Sequence, residues 1–187
     1  DHWQTFRPTS CGKAVDRMEI RIDSPAPFNQ VGEILTKGMN VMDGYYNNPE
    51  ASNAVLSPDG WLHTGDLGIL DPDGYLYIKG RSKSLILGPS GQNIYPEEIE
   101  DLLNAQPYIA ESLVIEREGK LVALVYPDSE AMKQHKISRD TLLKIIHETR
   151  KQINQQIPAY SQIARIEIHD EEFEKTPKRS IKRFLYQ

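Results

Sequence analysis

The spacing of hydrophobic residues predicts strands in the first half of the chain. Apolar and polar positions alternate through residues 16–23, DRMEIRID, which is typical of a strand with one buried face. Residues 32–38, GEILTKG, predict a second strand. A hairpin follows, in which residues 67–71 and 75–81 flank the turn DPDG. A short helix is predicted after Pro49, in the connection that precedes this hairpin.

The pattern changes near residue 80, after which helical and strand patterns are mixed. A helix is predicted to begin at Pro96, because proline is favoured in the first turn and acidic residues, here Glu97 and Glu98, suit the N-terminal end of the helix dipole. A second helix, capped by Ser138, is predicted to reach about Ile157. It has an apolar stripe at helical spacing, formed by Leu142, Ile146, Thr149, Ile153 and Ile157.

Three further strands and one short helix complete the second half. The strands are IAESLVIER, KLVALVYPD and ARIEIHD, and the final segment SIKRFLYQ predicts the short helix. We therefore predict an α+β protein in two parts. Residues 1–80 form a β-rich part, and residues 81–187 form a small α+β domain that is joined to it near Gly80.

Composition indicates an ordinary globular protein. The chain has 187 residues, of which 39% are hydrophobic and 26% are charged, and its formal net charge is −5. This negative charge argues against nucleic acid or an anionic membrane as a general partner. The one cysteine, Cys11, allows no internal disulfide, and no apolar run or signal peptide indicates a membrane or secreted protein, so we expect a cytoplasmic protein. Because the sequence opens on Asp1 within a loop pattern, we expect a fragment of a longer chain.

Three segments are candidates for chemistry. In GWLHTGDLG, Asp66 lies between glycines that let a ligand approach closely, although a turn between two strands has the same pattern. In GPSGQNIYPEEIE, glycines precede a helix start, which is either a phosphate site or a plain strand-to-helix turn. The basic end KTPKRSIKRF is a solvated tail, a nucleic-acid or membrane contact, or the source of a lysine that reaches an anionic reaction centre.

Metal and nucleophile sites are not predicted. The five histidines are scattered, and none lies at ligand spacing from another histidine or from the cysteine. No serine lies in a Gly-x-Ser-x-Gly elbow. Cys11 has no base assigned to it and is expected to be an inert, packed residue.

Five segments, taken in order, carry a family resemblance across nearly the whole chain. They are GEILTKGMNVMDGYYNNPEAS, GWLHTGDLG, DGYLYIKGRSKSLILGPSGQNIYPEEIE, QIPAYSQIARIEI and TPKRSIKR. Together they resemble the AMP-forming acyl-CoA synthetases of the adenylate-forming family, and the third segment most resembles bacterial long-chain fatty acid–CoA ligases. The resemblance implies that ATP activates a carboxylic acid as acyl-AMP and that the acyl group then passes to CoA. It also implies that residues 1–80 end a large AMP-binding domain and that residues 81–187 form its small, mobile C-terminal domain.

The resemblance implies roles for residues in the middle of the chain. Asp66 accepts hydrogen bonds from the ribose hydroxyls of the nucleotide, and Arg81 helps to hold it. Lys83 lies at the hinge about which the small domain rotates. The channel for the pantetheine arm of CoA is lined by Gly88, Ser90 and Gly91. One extra residue between Arg81 and Gly91, with Pro89 in the loop, departs from the family pattern.

The terminal segment implies a catalytic lysine for adenylate formation. Lys182 is the implied residue, and Lys175 and Lys178 are the competing candidates. The family has a glycine just before this lysine, and Ile181 takes that place here.

The implied cofactors are ATP or AMP, CoA and Mg²⁺, and the other partner is a fatty acid. No phosphate loop, metal-binding acid block or acyl pocket is recognised in this sequence, so the ligands of Mg²⁺ are expected in the missing N-terminal region of the parent protein and the fragment is expected to be inactive alone. No nucleic acid is expected as a partner, while peripheral membrane contact of the parent protein stays open. The alternatives are an adenylation domain that passes its acyl group to a carrier protein, and a non-catalytic binding module.

Overall fold

The chain forms two compact units, which meet in sequence between Lys83 and Ser84. The computed structural model describes residues 6–187. Asp1, on which the expectation of a fragment rests, lies outside the described residues. Each unit has its own sheet and its own hydrophobic core.

The first unit is built on an antiparallel sheet of four strands, which lie side by side in chain order. These are β1 (Met18–Asp23), β2 (Gly32–Gly38), β3 (Leu62–Leu70) and β4 (Leu76–Arg81). Helix α1 (Pro49–Val55) connects β2 to β3, with proline in its first turn and the side chain of Asn48 as its N-cap. The core of this unit is formed by Ile22, Ile34 and Leu76.

Strand β3 is longer than the sequence pattern predicts and is irregular in its middle. It begins at Leu62, so the segment with Asp66 is part of a strand rather than a turn before one. Its pairing with β2 shifts register, so that residues 64–66 lie opposite Ile34 alone. We call residues 64–66 the β3 bulge. Gly65 in this bulge has φ +73°, a left-handed conformation that glycine adopts without steric cost.

The second unit combines a sheet of three strands with helices. Its elements are β5 (Ile86–Leu87), β6 (Asn93–Ile94), α2 (Pro96–Asn104), β7 (Ile109–Arg117), β8 (Lys120–Pro127), α3 (Ser129–Gln134), α4 (Arg139–Asn154) and β9 (Ile163–Ile168). Strands β5 and β6 form a small hairpin. In the main sheet β7 pairs with β8 antiparallel, and β8 pairs with β9 parallel. The predicted α+β class is confirmed.

The two faces of the main sheet are covered differently. Helices α2 and α4 pack on one face, where the predicted stripe of α4 is buried at Leu142, Ile146, Thr149 and Ile153. Alternate residues of β7 and β8 point to the other face, as the two-residue period of a strand requires. That face is covered by the C-terminal segment, through Phe173, Ile181 and Tyr186.

Three local expectations are corrected by the structure. Helix α4 ends at Asn154, before the expected end at Ile157, although Ile157 still packs on the core. The last segment is a single 3₁₀ turn at Arg183–Leu185 rather than a helix. Cys11 is exposed rather than packed. Within residues 6–187, no helix combines the length and the apolar character needed to cross a membrane.

Candidate functional site

Asp66 and Arg81 meet on neighbouring strands at the end of the first unit. They are Cα partners in the antiparallel pairing of β3 with β4. Nε of Arg81 donates to Oδ1 of Asp66 over 2.8 Å. The Asp66 side chain is 35% exposed and that of Arg81 is 60% exposed, so a ligand can reach both. The structure thus brings together the two residues to which the family resemblance assigns nucleotide binding.

The backbone beside Asp66 is held by a carboxylate from β2. Oε1 of Glu33 accepts a hydrogen bond from the N–H of Gly65 at 2.9 Å, and its Oε2 lies 2.9 Å from Nδ1 of His63. The hydroxyl of Ser82 donates to the carbonyl of Gly65 at 3.1 Å. Sequence reasoning did not identify Glu33 as a site residue. The signal that could have found it is an acidic residue directly before the apolar pair of GEIL.

A threonine within the β3 bulge completes this arrangement. The hydroxyl of Thr64 donates to the carbonyl of Ile34 at 2.7 Å. The same oxygen accepts from the N–H of Asp66 at 3.1 Å. Side-chain groups therefore bond the backbone at the register shift of β2 and β3.

A cavity of ≈ 390 Å³ opens beside these residues in the first unit. Its walls combine acidic and basic side chains, including Glu33, His63, Arg81 and Lys83. Lys83 is exposed and lies in a 3₁₀ turn, Ser82–Ser84, that follows β4 directly. This is the point of the chain at which the contacts divide into two units.

The glycine segment 88–91 is a hairpin turn, not the loop of a helix N-terminus. It joins β5 to β6, and the N–H of Gly88 donates to the carbonyl of Gln92 at 2.8 Å. Helix α2 begins only later, after Tyr95, so the phosphate interpretation of this segment loses its geometric basis. Gly91 has φ +81° at the tip, which is a conformation that a turn glycine provides.

The hairpin forms one wall of a cavity of ≈ 480 Å³ in the second unit. Two of the three predicted CoA-channel residues, Gly88 and Ser90, line it, together with residues from the β7–β8 turn and the segment before β9. These additional residues include Gly119, Lys120, Tyr160 and Gln162. Gly91 is not part of the wall of this cavity.

The basic C-terminal segment is a hairpin on the surface of the sheet. Lys175 and Ile181 are bridge partners, and the N–H of Arg179 donates to the carbonyl of Thr176 at 2.8 Å across the turn. Arg179 has φ +61°, the left-handed conformation that favours glycine in a hairpin of this kind. The position with the backbone of a glycine is therefore Arg179 and not Ile181, and the residue that follows it is Ser180.

The three candidate lysines differ in their partners. Nζ of Lys175 lies 2.7 Å from Glu111 and 2.6 Å from Glu172, and these carboxylates raise the pKa of Lys175 through hydrogen bonding first and charge second. Nζ of Lys182 lies 3.1 Å from Glu174, and the pair is partly exposed. Lys178 is exposed at the turn, with no ion pair to the residues that the structure describes.

Arg183 anchors this hairpin to the interior of the second unit. Its guanidinium pairs with the carboxylate of Glu100 on α2 and donates to the carbonyl of Val114 at 3.1 Å. The N–H of Val114 donates to the same carboxylate at 2.6 Å. Burial raises the pKa of Glu100, and the charge of Arg183 together with the Val114 hydrogen bond opposes that rise. Sequence reasoning counted Arg183 only as part of a basic cluster.

Metal chemistry has no ligand set in this part of the chain. Among residues 6–187, no group of three or more histidine, cysteine, aspartate or glutamate side chains could hold a metal ion.

With this geometry established, comparison with known proteins identifies the family. Residues 83–186 match the family described as AMP-binding enzyme C-terminal domain. The match covers more than half of the chain, and the chain belongs to this family.

Curated relatives are CoA ligases that act on different acids. Sulfoacetate–CoA ligase of Cupriavidus necator is 47% identical over 95 residues, which are 51% of this chain and 18% of that protein. Indoleacetate–CoA ligase of Aromatoleum aromaticum is 44% identical over 124 residues, which are 62% of this chain and 24% of that protein. A long-chain-fatty-acid–CoA ligase of Gallus gallus is 39% identical over 123 residues, which are 65% of this chain and 16% of that protein. The chain thus spans a quarter or less of the length of each.

Solved structures share the fold of nearly the whole chain. O-succinylbenzoate coenzyme A synthetase of Bacillus subtilis, in complex with AMP, aligns with a TM-score of 0.75 and 29% identity over 97% of this chain and 36% of that chain. The same protein in complex with ATP and magnesium ion aligns with a TM-score of 0.73 and 30% identity over 95% of this chain and 35% of that chain.

Proposed function

We propose that this chain is the C-terminal part of an ATP-dependent acyl-CoA synthetase. The parent protein activates a carboxylic acid as acyl-AMP, releases pyrophosphate and transfers the acyl group to CoA. The observation that carries the proposal is the accessible Asp66–Arg81 pair, placed immediately before an AMP-binding enzyme C-terminal domain. The chain up to residue 80 is then the end of the large AMP-binding domain, and residues 81–187 are the small domain, with the hinge near Lys83.

In this proposal Asp66 binds the ribose of the nucleotide. A carboxylate accepts hydrogen bonds and cannot donate them, so it can receive both ribose hydroxyl protons. Charge-assisted hydrogen bonds of this kind are stronger than neutral ones. Arg81 orients the carboxylate from the neighbouring strand and adds positive charge next to the nucleotide.

A lysine of the C-terminal hairpin neutralises the charge that develops between the carboxylate and the α-phosphate. Lys182 is the first candidate, because its ion pair with Glu174 is partly exposed and can be exchanged for a substrate. Lys175 is held by two carboxylates and is less available. Lys178, at the exposed turn, is the second candidate.

The left-handed conformation of Arg179 suggests a second alignment of the hairpin with the family motif. If Arg179 occupies the position of the family's glycine, then Ser180, which carries no charge, occupies the position of the catalytic lysine. In that case the charge has to come from Lys178 or Lys182 on either side of Ser180.

Two conformations of the small domain are needed for the two half-reactions, since the hairpin lysine and the CoA channel serve different steps. We propose that Lys83 is the hinge and that Gly88, Ser90 and Gly91 border the pantetheine arm of CoA. Gly88 and Ser90 line the ≈ 480 Å³ cavity, which supports this assignment for those two residues.

The substrate class that we propose is a long-chain fatty acid, because the segment DGYLYIKGRSKSLILGPSGQNIYPEEIE most resembles bacterial long-chain fatty acid–CoA ligases. The relatives named above use acids as different as sulfoacetate, indoleacetate and long-chain fatty acids. The test is pyrophosphate release by the longer protein with ATP, magnesium and CoA, assayed over acids from acetate to palmitate. Highest kcat/KM for palmitate is the expected result, and a preference for a short or aromatic acid contradicts the substrate class but not the reaction.

Transfer to a carrier protein is the alternative acceptor reaction. It is excluded if free CoA supports thioester formation at the rate of adenylate formation. A longer protein that forms no adenylate with any acid would be a binding module.

A further inference from the structure

We propose that Glu33 is a positioning residue that aims Asp66 at the ribose hydroxyls and acts through the β3 bulge. This inference rests on the proposed function, in which Asp66 binds the ribose of ATP. Neither the sequence motif nor the family match assigns Glu33 a role.

The β3 bulge interrupts the backbone hydrogen bonds between β2 and β3. Three residues of β3 lie opposite Ile34 alone, so the regular hydrogen bonds between β2 and β3 are interrupted there. Backbone groups that lose a ladder partner need another one when they are shielded from water. Glu33 provides it for the N–H of Gly65, at 2.9 Å and with a charged acceptor, which makes the bond stronger than one between neutral groups.

The hydrogen bonds around Gly65 also determine the direction of the Asp66 side chain. Gly65 is left-handed, and glycine has many alternative conformations, so its neighbours must hold it in this one. The peptide before Gly65 is held by Glu33, and the peptide after it is held by Ser82 at the carbonyl and by Thr64 at the N–H of Asp66. The backbone angles on both sides of Gly65 are therefore restricted. The direction in which the Asp66 side chain leaves the strand follows from these angles.

The carboxylate of Glu33 is itself held in place by His63. Its side chain is 26% exposed, and the second carboxylate oxygen lies 2.9 Å from Nδ1 of His63, two residues before Gly65 on β3. One carboxylate thus contacts β3 at two points, His63 and Gly65. This bridge resists sliding or twisting of the bulge, which would move the Asp66 carboxylate relative to the nucleotide.

The test measures ribose recognition rather than stability. In the longer protein, calorimetry gives the affinity for ATP and for 2′,3′-dideoxy-ATP, which lacks both hydroxyls. Their ratio reports the contribution of the ribose hydroxyls. We compare the unmodified protein with Asp66→Ala, Glu33→Ala, Glu33→Gln and the double variant Glu33→Ala/Asp66→Ala. Glu19→Ala is the matched control, because Glu19 is an exposed carboxylate on β1 of the same sheet.

Asp66→Ala is expected to lower the preference for ATP by about tenfold or more, as loss of charge-assisted hydrogen bonds does. Glu33→Ala is expected to remove most of the same preference, with affinity for the dideoxy analogue changed by less than about twofold. The double variant should match Asp66→Ala alone, because both changes remove one interaction. Glu33→Gln should keep the preference, since its amide oxygen can still accept from Gly65. Glu19→Ala should leave the ratio unchanged.

Two results would overturn the inference while leaving the proposed function intact. One is an unchanged ratio in Glu33→Ala together with a lost ratio in Asp66→Ala. The other is an equal loss of affinity for both nucleotides in Glu33→Ala, which indicates a role in stability alone. An unchanged ratio in Asp66→Ala contradicts the proposed nucleotide role of Asp66 and overturns the inference with it.

Discussion

Arg183 pairs with the carboxylate of Glu100, a residue on α2 whose side chain is only 11% exposed. The two residues lie 83 positions apart, so the contact ties the last segment of the chain to the first helix of the second unit. A buried carboxylate is costly unless a cation and hydrogen-bond donors compensate it. Arg183 and the N–H of Val114 do so here.

Replacement of Arg183 should therefore destabilise the second unit in a pH-dependent way. Arg183→Met leaves the Glu100 carboxylate buried without its cation, and we expect a loss of about 3 kcal/mol in the free energy of unfolding at pH 7. Burial already raises the pKa of Glu100, and loss of Arg183 raises that pKa further. A carboxyl group with a raised pKa in the folded state favours folding at low pH and loses this contribution as the pH rises through its folded pKa. The loss should therefore be smaller at pH 5.

Urea unfolding followed by circular dichroism at pH 7 and pH 5 measures this difference. Lys178→Met is the control, because Lys178 is exposed and its replacement should change the free energy of unfolding by less than about 0.5 kcal/mol at both pH values. An equal loss for Arg183→Met at both pH values means that the charge of Glu100 is not the cause.

Asp66→Ala in the longer protein should weaken ATP binding. The two ribose hydroxyls lose their acceptor, and hydrogen bonds to charged groups contribute roughly 1.5–3 kcal/mol each at most, so we expect a decrease in affinity on the order of tenfold or more. Calorimetric titration with ATP measures it. Asp73→Ala, at the exposed β3–β4 turn, removes a carboxylate from the same hairpin and should leave the affinity unchanged. Equal affinities for Asp66→Ala and the unmodified protein refute the assignment.

Lys83→Pro should separate the two half-reactions. Proline restricts φ, so a rotation about this residue becomes difficult and one domain arrangement is favoured. Adenylate formation and thioester formation should then fall by unequal factors in single-turnover assays. Lys83→Ala removes the charge but leaves φ free, and it should affect both steps by less than Lys83→Pro does. Equal loss of both steps in a folded Lys83→Pro protein contradicts a hinge at this residue.

Lys182→Ala should slow adenylate formation by a factor on the order of 100 to 1000, the usual effect of removing one preorganised donor. Thioester formation from supplied acyl-adenylate should be largely unchanged, because the lysine serves the first step only. The Lys175→Ala and Lys178→Ala variants are assayed beside it in both half-reactions. A selective loss in Lys178→Ala without one in Lys182→Ala moves the catalytic role to Lys178.

Ser180→Lys tests the alignment given by the backbone. If Ser180 occupies the family's lysine place, a lysine there should restore adenylate formation to a Lys182→Ala/Lys178→Ala protein. Arg179→Lys, which adds no charge at the adjacent position, is the control. If the Ser180→Lys protein does not recover, Arg179 does not occupy the position of the family's glycine.

The isolated chain should not catalyse the overall reaction, because no phosphate loop is recognised in its sequence. We expect pyrophosphate release at the buffer rate when it is incubated with ATP, magnesium, palmitate and CoA. Release above that rate contradicts the proposal that catalysis needs parts of the parent protein outside this chain.

Local periodicity was sufficient to predict most elements. The alternation in MEIRID and the stripe of α4 depend on side chains a few residues apart, and such patterns are visible in the sequence. The caps were visible for the same reason, since Ser138 accepts from an N–H only three residues later. The family motifs that name Asp66, Arg81 and Lys83 are also local, although their roles remain predictions.

Contacts between distant residues were decided only by the tertiary structure. The parallel pairing of β8 with β9 and the register shift at the β3 bulge depend on which strands become neighbours, and no local pattern encodes that. Glu33 contacts Gly65 because the sheet brings together residues 32 positions apart. Arg183 becomes an internal ion-pair partner because the C-terminal segment folds back over the sheet, whereas a run of charges in a sequence is usually solvated. The sequence by itself determined the elements and the motif positions, while long-range packing determined which side chains support them.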